Sequence, residues 1–227
     1  MYIAYSVSRG WADRLKPAIT SLLEHNKPTK IFVLAEEDTL PFEIPCKHQI
    51  INVSGQQYFF KDGPNMNSYF TYMSMIRICL PELVKVNKII CLDVDTIICD
   101  SLKPIWDVDL TGMWAAMVQE YKGGYKPFGP LYWNFGVSVL NLQQMRKDNA
   151  TKTLVDDLNL VRFYCPEQDA INLEAGGTKI ADLPVRYNEC FCCGYTDDPA
   201  VVHYAGIPNW VNNHNIFRWE YLAKYTK

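Results

Sequence analysis

The sequence predicts an α/β fold built on a mixed, mostly parallel sheet flanked by helices. Three observations carry that prediction. Short β-rich runs at Tyr2–Val7, Lys30–Ala35 and Lys88–Leu92 read as buried strands. Between the first two, apolar residues at Trp11, Leu15, Ala18, Ile19, Leu22 and Leu23 recur at helix spacing. The two patterns then keep alternating, and such alternation builds a parallel sheet with helices on its faces.

The opening unit therefore reads strand, helix, strand. Pro17 would break the interior of the helix, but with Asp13 as N-cap it falls in the first turn, where its missing N–H matters little. A strand at Gln49–Val53 follows, then a loop bearing Gly, Pro and Asn over Asp62–Asn67, a helix from about Ser68 to Leu83, and the strand Lys88–Leu92. Downstream come a strand at Trp133–Leu140, a helix through Thr151–Val161, a helix opening near Pro166, and strands near Lys179–Leu183 and Val201–Tyr204. No repeat and no Gly/Ser-rich or Pro-rich stretch divides the 227 residues, so a single domain over 1–227 is expected.

Composition narrows the function classes. Lys and Arg total 22 against 25 Asp and Glu, giving a net charge of −3, and the basic residues are scattered rather than grouped. A phosphate backbone is recognised by clustered cations, so nucleic acid is an unlikely partner on this count. The N-terminal segment MYIAYSVSRGW lacks the pattern of an export signal, and no apolar run approaches the ~18 residues of a membrane span. A cytoplasmic location is expected. Several of the eight cysteines lie within apolar runs, such as Cys91 in IICL, which is the usage of a reduced compartment. Cys190, Cys192 and Cys193 could join Cys165 around zinc, but there is no second C-x-x-C and no His pair at ligand spacing, and the sequence assigns no such site.

The strongest chemical signal is Asp93-Val94-Asp95, set directly after Ile89–Leu92 and before Thr96-Ile97-Ile98. Two carboxylates here interrupt what would otherwise be one buried strand. Burying them unpaired is expensive, so the position implies a bound cation, a strong hydrogen-bond network, or exposure at a strand end. In open α/β sheets ligands gather at the carboxyl ends of strands, which is where this tripeptide falls.

The segment LDVDTIICDSLKPIWDVDL, followed in order by YWNFGVSVLNL, PEQDAIN and HYAG, resembles glycosyltransferase family 8, with a likeness running from about Tyr2 to Trp210. That resemblance implies a single GT-A (Rossmann-like) domain. It also implies retaining transfer of a hexose from a UDP-sugar to an acceptor hydroxyl, the acceptor being an unknown glycan, protein or small molecule. Asp93, Asp95 and His203 are then metal ligands. Two carboxylates and an imidazole suit Mn²⁺ better than Mg²⁺, although Mg²⁺ remains an alternative. Val94 and Gly206 match positions beside the donor. Asn134, with Gly136 in the same segment, matches an asparagine near the anomeric centre, and Glu167 and Gln168 match the pair below the anomeric carbon. Asp169 matches a helix-start or sugar-positioning residue, and Arg77 a basic residue that contacts donor phosphate or sugar. His25, His48 and His214 are read as structural.

At the end of the first strand the family grips the nucleoside with backbone groups, a polar or acidic side chain and an aromatic ring. The matching positions here are Tyr5, Val7, Ser8 and Trp11. Trp11 can stack on a base, yet it also begins the apolar stripe of the first helix. Two departures stand out. Glu167 occurs where many members have aspartate, and the lysine usual shortly before the tryptophan of the H-x-x-G segment is missing from His203-Tyr204-Ala205-Gly206-Ile207-Pro208-Asn209-Trp210. Either the metal and Arg77 neutralise the diphosphate alone, or Arg218 or Lys224 replaces the lysine. A nucleotide-sugar binding module with weak or no transfer, and a transferase acting on modified nucleic acid, stay open as rival readings.

Overall fold

The computed structural model describes residues 1–66, 68, 70–121, 130–207 and 209–226. Asn67 of the expected loop, Tyr69 of the expected helix and Pro208 of the H-x-x-G segment lie outside them. The strands are β1 (Tyr2–Val7), β2 (Lys30–Ala35), β3 (His48–Asn52), β4 (Ile89–Leu92), β5 (Thr96–Ile98), β6 (Ala115–Gln119), β7 (Trp133–Leu140), β8 (Ile180–Asp182) and β9 (Val201–His203). The helices are α1 (Ala12–His25), α2 (Tyr72–Met75), α3 (Leu80–Leu83), α4 (Lys103–Trp106), α5 (Leu142–Lys147), α6 (Ala150–Leu160), α7 (Pro166–Ala175) and α8 (Trp219–Ala223).

Seven strands form one sheet in the order β3-β2-β1-β4-β7-β6-β8. The strands from β3 to β4 run parallel, β6 and β8 run parallel to each other, and β7 is antiparallel to both of its neighbours. This is the mixed, mostly parallel sheet that the sequence predicts. Side chains alternate across it. Ala4, Ile89 and Cys91 enter the core on one face, while Ile3, Tyr5, Ile90 and Leu92 enter the core on the other. Because both faces are covered, the central strands are continuous apolar runs rather than alternating ones. Each fully buried aliphatic side chain contributes about 1.5–3 kcal/mol.

Two helices differ from expectation. Trp11, not Asp13, precedes the first turn of α1 and makes no side-chain capping bond, so Pro17 lies inside the helix. Its missing N–H removes the donor that would reach the Asp13 carbonyl, and its buried ring packs on the inner face instead. The helix expected from Ser68 to Leu83 starts later and is divided. Thr71 caps α2 by accepting the Met73 N–H, a 3₁₀ turn spans Ile76–Cys79, and α3 follows. Pro81 has no N–H for a continuous α-helical ladder, and the Leu80 N–H takes the Arg77 carbonyl in the tighter pattern.

A small second sheet pairs β5 with β9, antiparallel, with Thr96 opposite His203 and Ile98 opposite Val201. Its residues Ile97 and Val202 join Tyr204, Trp210 and Leu222 in a third core. This pairing returns a distant segment to the Asp93–Asp95 turn.

Candidate active site

The turn between β4 and β5 carries Asp93, Val94 and Asp95, and it is stitched at both ends. The Asp93 N–H donates to the Gly136 carbonyl at 2.8 Å, the Thr96 hydroxyl to the Asp93 carbonyl at 2.7 Å, and the Tyr204 N–H to the Asp95 carbonyl at 2.9 Å. The register of β5 on β9 then sets the His203 Nε2 3.4 Å from Asp93 Oδ2 and 3.2 Å from Asp95 Oδ1. Gly136 permits this approach. A Cβ there would lie 2.2 Å from His203 Cε1 and 2.7 Å from Nδ1.

The imidazole is oriented through a chain of amides. The Glu120 carboxylate can only accept, so at 2.8 Å it fixes Asn134 with its Nδ2 toward Glu120. Asn134 Oδ1 then accepts from the Gly136 N–H at 2.9 Å and from Asn188 Nδ2 at 2.8 Å. Asn188 is left with Oδ1 facing His203 Nδ1 at 2.8 Å, which requires the hydrogen on Nδ1. The other nitrogen, Nε2, is thereby directed at the two carboxylates. Such an outer partner fixes tautomer and ring orientation at metal sites.

The electrostatics follow from burial and neighbours. Burial would raise Asp93, but Arg77 and His203 outweigh it and hold its carboxyl at about 2. Burial disfavours a charged His203, but Asp95 and Asp93 outweigh it and raise the ring well above its ordinary value. Arg77 is likewise desolvated, and Asp93 and Glu167 overcome that to raise it. The donor atoms of Asp93, Asp95 and His203 all lie within 4.8 Å of one another. Two acceptor-only carboxylates and a directed imidazole nitrogen fit a divalent cation of the hard or borderline class.

The resemblance makes Arg77 a contact to donor phosphate or sugar. The structure buries it between Asp93, which Nη1 reaches, and Glu167, whose Oε1 lies 2.6 Å from Nη2. Glu167 is only 6% exposed, and its second oxygen has no partner. Gln168 accepts the Phe135 N–H at 3.0 Å and donates to Glu120 at 3.1 Å, so it is fixed against both Glu120 and the start of β7. Asp169 is fully buried. Its Oδ1 accepts from the Tyr132 hydroxyl and its Oδ2 from the Tyr164 and Cys165 N–H groups at 2.9 Å, which makes it the helix-start residue of α7 and leaves it no exposed surface for a donor.

The residues expected to face the nucleoside lie at and just beyond the carboxyl end of β1. The Tyr5 side chain is sealed in the core with its hydroxyl unpaired, so it presents nothing to a ligand. Val7 is buried too, whereas the Ser8 hydroxyl meets the Thr71 hydroxyl at 3.0 Å. Trp11 is 43% exposed and carries the Arg14 guanidinium 3.7 Å above its ring, so it does not act as a core residue. A cleft of about 390 Å³ opens beside it, lined by Arg9, Gly10, Asp13, Glu37 and Leu40 among others. Val94 is half-buried against the second core, and Gly206 turns at a φ of +69° with open space around it.

Both residues named as substitutes for the missing lysine are engaged in ion pairs. Arg218 forms a paired contact to the buried Glu189 at 2.9 and 3.0 Å, and Lys224 pairs with Glu24. Arg14 instead reaches Asn209, with Nη2 3.4 Å from Oδ1. Two further residues belong to the site without having been singled out in the sequence. Glu120 follows β6, a strand whose AAMVQ run gives no periodic signal, and Asn188 sits in an irregular segment. Glu120 was findable as a polar residue just past a buried strand; nothing local marks Asn188.

Comparison with known proteins bears on the family and the fold. The model of glycosyl transferase family 8 matches residues 3–210. General stress protein A of Bacillus subtilis (strain 168) is 22% identical over an alignment covering 100% of this chain and 94% of that protein. Glycosyltransferase GlyB of Streptococcus pneumoniae is 23% identical, over 95% of this chain and 59% of its own length. Among solved structures, an active-site mutant of LgtC superposes with a TM-score of 0.76 at 21% identity, covering 99% of this chain and 95% of that one. The galactosyltransferase LgtC in complex with donor and acceptor sugar analogs gives a TM-score of 0.73 at 19% identity, covering 100% and 95%. The fold is the GT-A fold of these neighbours. Among the described residues no helix is long and apolar enough to cross a membrane.

Proposed function

The chain belongs to glycosyl transferase family 8, and from that premise we propose that it moves a hexose from a UDP-sugar to an acceptor hydroxyl, with retention, using Mn²⁺ held by Asp93, Asp95 and His203. The observation that carries this reading is the convergence of His203 Nε2 on the two aspartates, at 3.2 and 3.4 Å, from a strand far along the chain. A divalent ion bound there would offset the charge that grows on the diphosphate as the glycosidic bond breaks.

The remaining work falls to the chain's own side chains. Arg77 ties the metal turn to α7 through Glu167, which fixes the distance between the diphosphate and sugar ends. Gln168, Asn134 and Glu120 form one hydrogen-bonded set at the sugar end, and burial raises the Glu120 carboxyl against the opposing bonds from Asn134 and Gln168. Glu167 has one oxygen neutralised by Arg77 and is nearly inaccessible, which makes it a poor nucleophile. Front-face departure therefore suits this site better than a covalent intermediate, with the leaving phosphate taking the acceptor proton. The acceptor is a glycan, a protein or a small hydroxyl compound rather than nucleic acid, given the net charge of −3.

The test is a panel of nucleotide sugars incubated with and without Mn²⁺, following release of nucleoside diphosphate. Turnover of a UDP-hexose that requires Mn²⁺ is expected. Turnover that survives metal removal, or no turnover of any donor with or without added sugar acceptors, would refute the reading.

A further inference from the structure

We propose that Cys190, Cys192 and Cys193 form a second cation site, a thiolate site for a Zn²⁺-class ion, adjoining the carboxylate–imidazole site, since Cys190 touches His203 and Cys192 Sγ accepts from Asn134 Nδ2 at 3.7 Å. Their three sulfurs lie within 4.8 Å of one another, and the Cys190 and Cys192 sulfurs are 3.3 Å apart. Thiolates bound to zinc at about 2.3 Å stand roughly 3.8–4.0 Å from each other, so the three already sit near coordination spacing. Cys165, the partner considered from sequence, is not part of this group.

The backbone around them is arranged as a ligand turn. The Cys193 N–H points at Cys190 Sγ at 3.4 Å, which holds that sulfur toward the centre of the turn. The Gly194 N–H closes the turn on the Cys190 carbonyl at 2.9 Å, and Gly194 supplies the φ of +109° that the closure needs. The turn is anchored on both sides. The Tyr121 N–H donates to the Cys192 carbonyl at 3.0 Å from the end of β6, and Glu189 exchanges bonds of 2.9 Å with Val201 and His203 on β9. Cys190 and Cys193 are buried and Cys192 is half-buried, so the three sulfurs face one another away from bulk water. Ligand softness separates the two sites: three sulfurs select Zn²⁺ or Cd²⁺, while two carboxylates and one imidazole suit Mn²⁺. A bound ion would tie the segment after β6, which carries Glu120, to the segment that carries Asn188 and leads into β9. The site thus braces the chain that orients His203.

The experiment is a Cd²⁺ titration of the reduced, metal-stripped full chain in excess Mn²⁺, read by the ultraviolet thiolate-to-cadmium charge-transfer band. One equivalent with a strong band is expected. Cys192→Ser and Cys193→Ser should each weaken binding by roughly tenfold or more, at least the loss typical of an outer-shell partner. Cys165→Ser should leave the titration unchanged, as should Asp95→Asn, which removes only the Mn²⁺ site. If Cys193→Ser fails to fold, the partly exposed Cys192→Ser decides. Absence of the band, its persistence at full strength in Cys192→Ser, or its loss in Asp95→Asn would each overturn the proposal, and none of these depends on whether the chain transfers sugar.

Discussion

The metal end and the nucleoside end stand at the tips of neighbouring parallel strands, β4 and β1, yet they are built differently. At the tip of β4, β7 lies alongside and β9 covers the turn, and each polar group of Asp93, Asn134, Asn188 and His203 described above has a fixed partner inside the chain. At the tip of β1 the chain opens into a cleft, with Trp11 exposed and the Ser8 hydroxyl meeting that of Thr71. One sheet therefore carries an internally partnered cluster of charged side chains at one tip and an open cleft at the other. Preorganisation favours transition-state stabilisation, because the dipoles need not rearrange as charge develops. Substitutions at the β4 tip should accordingly be severe and largely all-or-none, whereas those at the β1 tip should be graded.

The largest effect is expected from removing a ligand. Asp95→Asn keeps the shape and the backbone bond to Tyr204, and it should abolish Mn²⁺-dependent UDP binding in calorimetry with an unchanged far-ultraviolet spectrum. His203→Ala should abolish it too, but not cleanly. His203 is 2% exposed, so its removal opens a cavity and leaves Asn188 Oδ1 unpaired, at about 1–3 kcal/mol of stability for the orphaned acceptor. Undiminished affinity in Asp95→Asn would remove the contrast between the two ends.

Next comes Gly136→Ala, which removes no ligand but crowds one. The added methyl would meet the His203 ring at 2.2 Å, and that ring is held by Asn188 and cannot yield without leaving the aspartates. Mn²⁺ affinity should fall by about tenfold or more, the scale of outer-shell damage, with a stability loss of about 1–3 kcal/mol from overpacking. Retained affinity would mean that the metal end is more compliant than its hydrogen bonds indicate.

These two positions also show what the sequence made legible. Asp93 and Asp95 could be singled out because carboxylates inside an apolar run are anomalous, and β1, β2 and β7 because strands buried on both faces leave uninterrupted apolar stretches. His203 was legible only by resemblance, since its role depends on β5 pairing with β9, a long-range register that no local pattern encodes. Glu120 and Asn188 were missed for the same reason: their meaning lies in an amide chain that exists only when β6, β7 and the 188 segment meet. The misplaced start of α1 and the divided helix around Pro81 arose where local capping rules compete with tertiary packing, and the packing of the buried Pro17 and Leu80 prevailed. The cysteine turn failed the sequence test because a three-thiol site has no second motif to find.

A smaller, continuous effect concerns pH. In the metal-free chain His203 is raised above its ordinary value of 6.5, so its contribution to stability is complete below that pH and is lost as pH rises through the raised value. Asp93 has the opposite sign. Lowered from 3.8 to about 2, it contributes fully above 3.8 and loses that contribution as pH falls through about 2. The Tm of the metal-free chain should thus decline on the alkaline side of pH 6.5, and less so in Asp95→Asn, which weakens the pull on the ring. Mn²⁺ must displace the His203 proton, so its affinity should rise by up to about tenfold per pH unit until the ring is neutral, with proton release detectable by calorimetry in buffers of different ionisation enthalpy. Affinity that is flat over this range would show the imidazole to be outside the ligand set.

The smallest effect is expected at the open end, where the family's lysine is replaced by Asn209. Arg14 reaches Asn209 at 3.4 Å while stacked on Trp11, which places a cation beside the vacated position. Arg14→Ala should weaken UDP binding by about 0.5–2 kcal/mol, the range of a charge-assisted contact discounted for exposure. Asn209→Lys restores the charge but at a φ of 53°, where a residue other than Gly or Asn costs roughly 1 kcal/mol, so alone it should be nearly neutral. In the Arg14→Ala background the same lysine should recover most of the lost affinity, because the two cations then substitute for one another. Lys224→Ala, which removes a partner of Glu24 only, should leave UDP affinity unchanged. Arg218→Ala should lower stability by orphaning the buried Glu189, without a comparable loss of UDP affinity in the folded fraction. If Arg14→Ala binds UDP as tightly as the parent while Arg218→Ala or Lys224→Ala does not, the cation of the nucleoside end comes from the tail and not from α1.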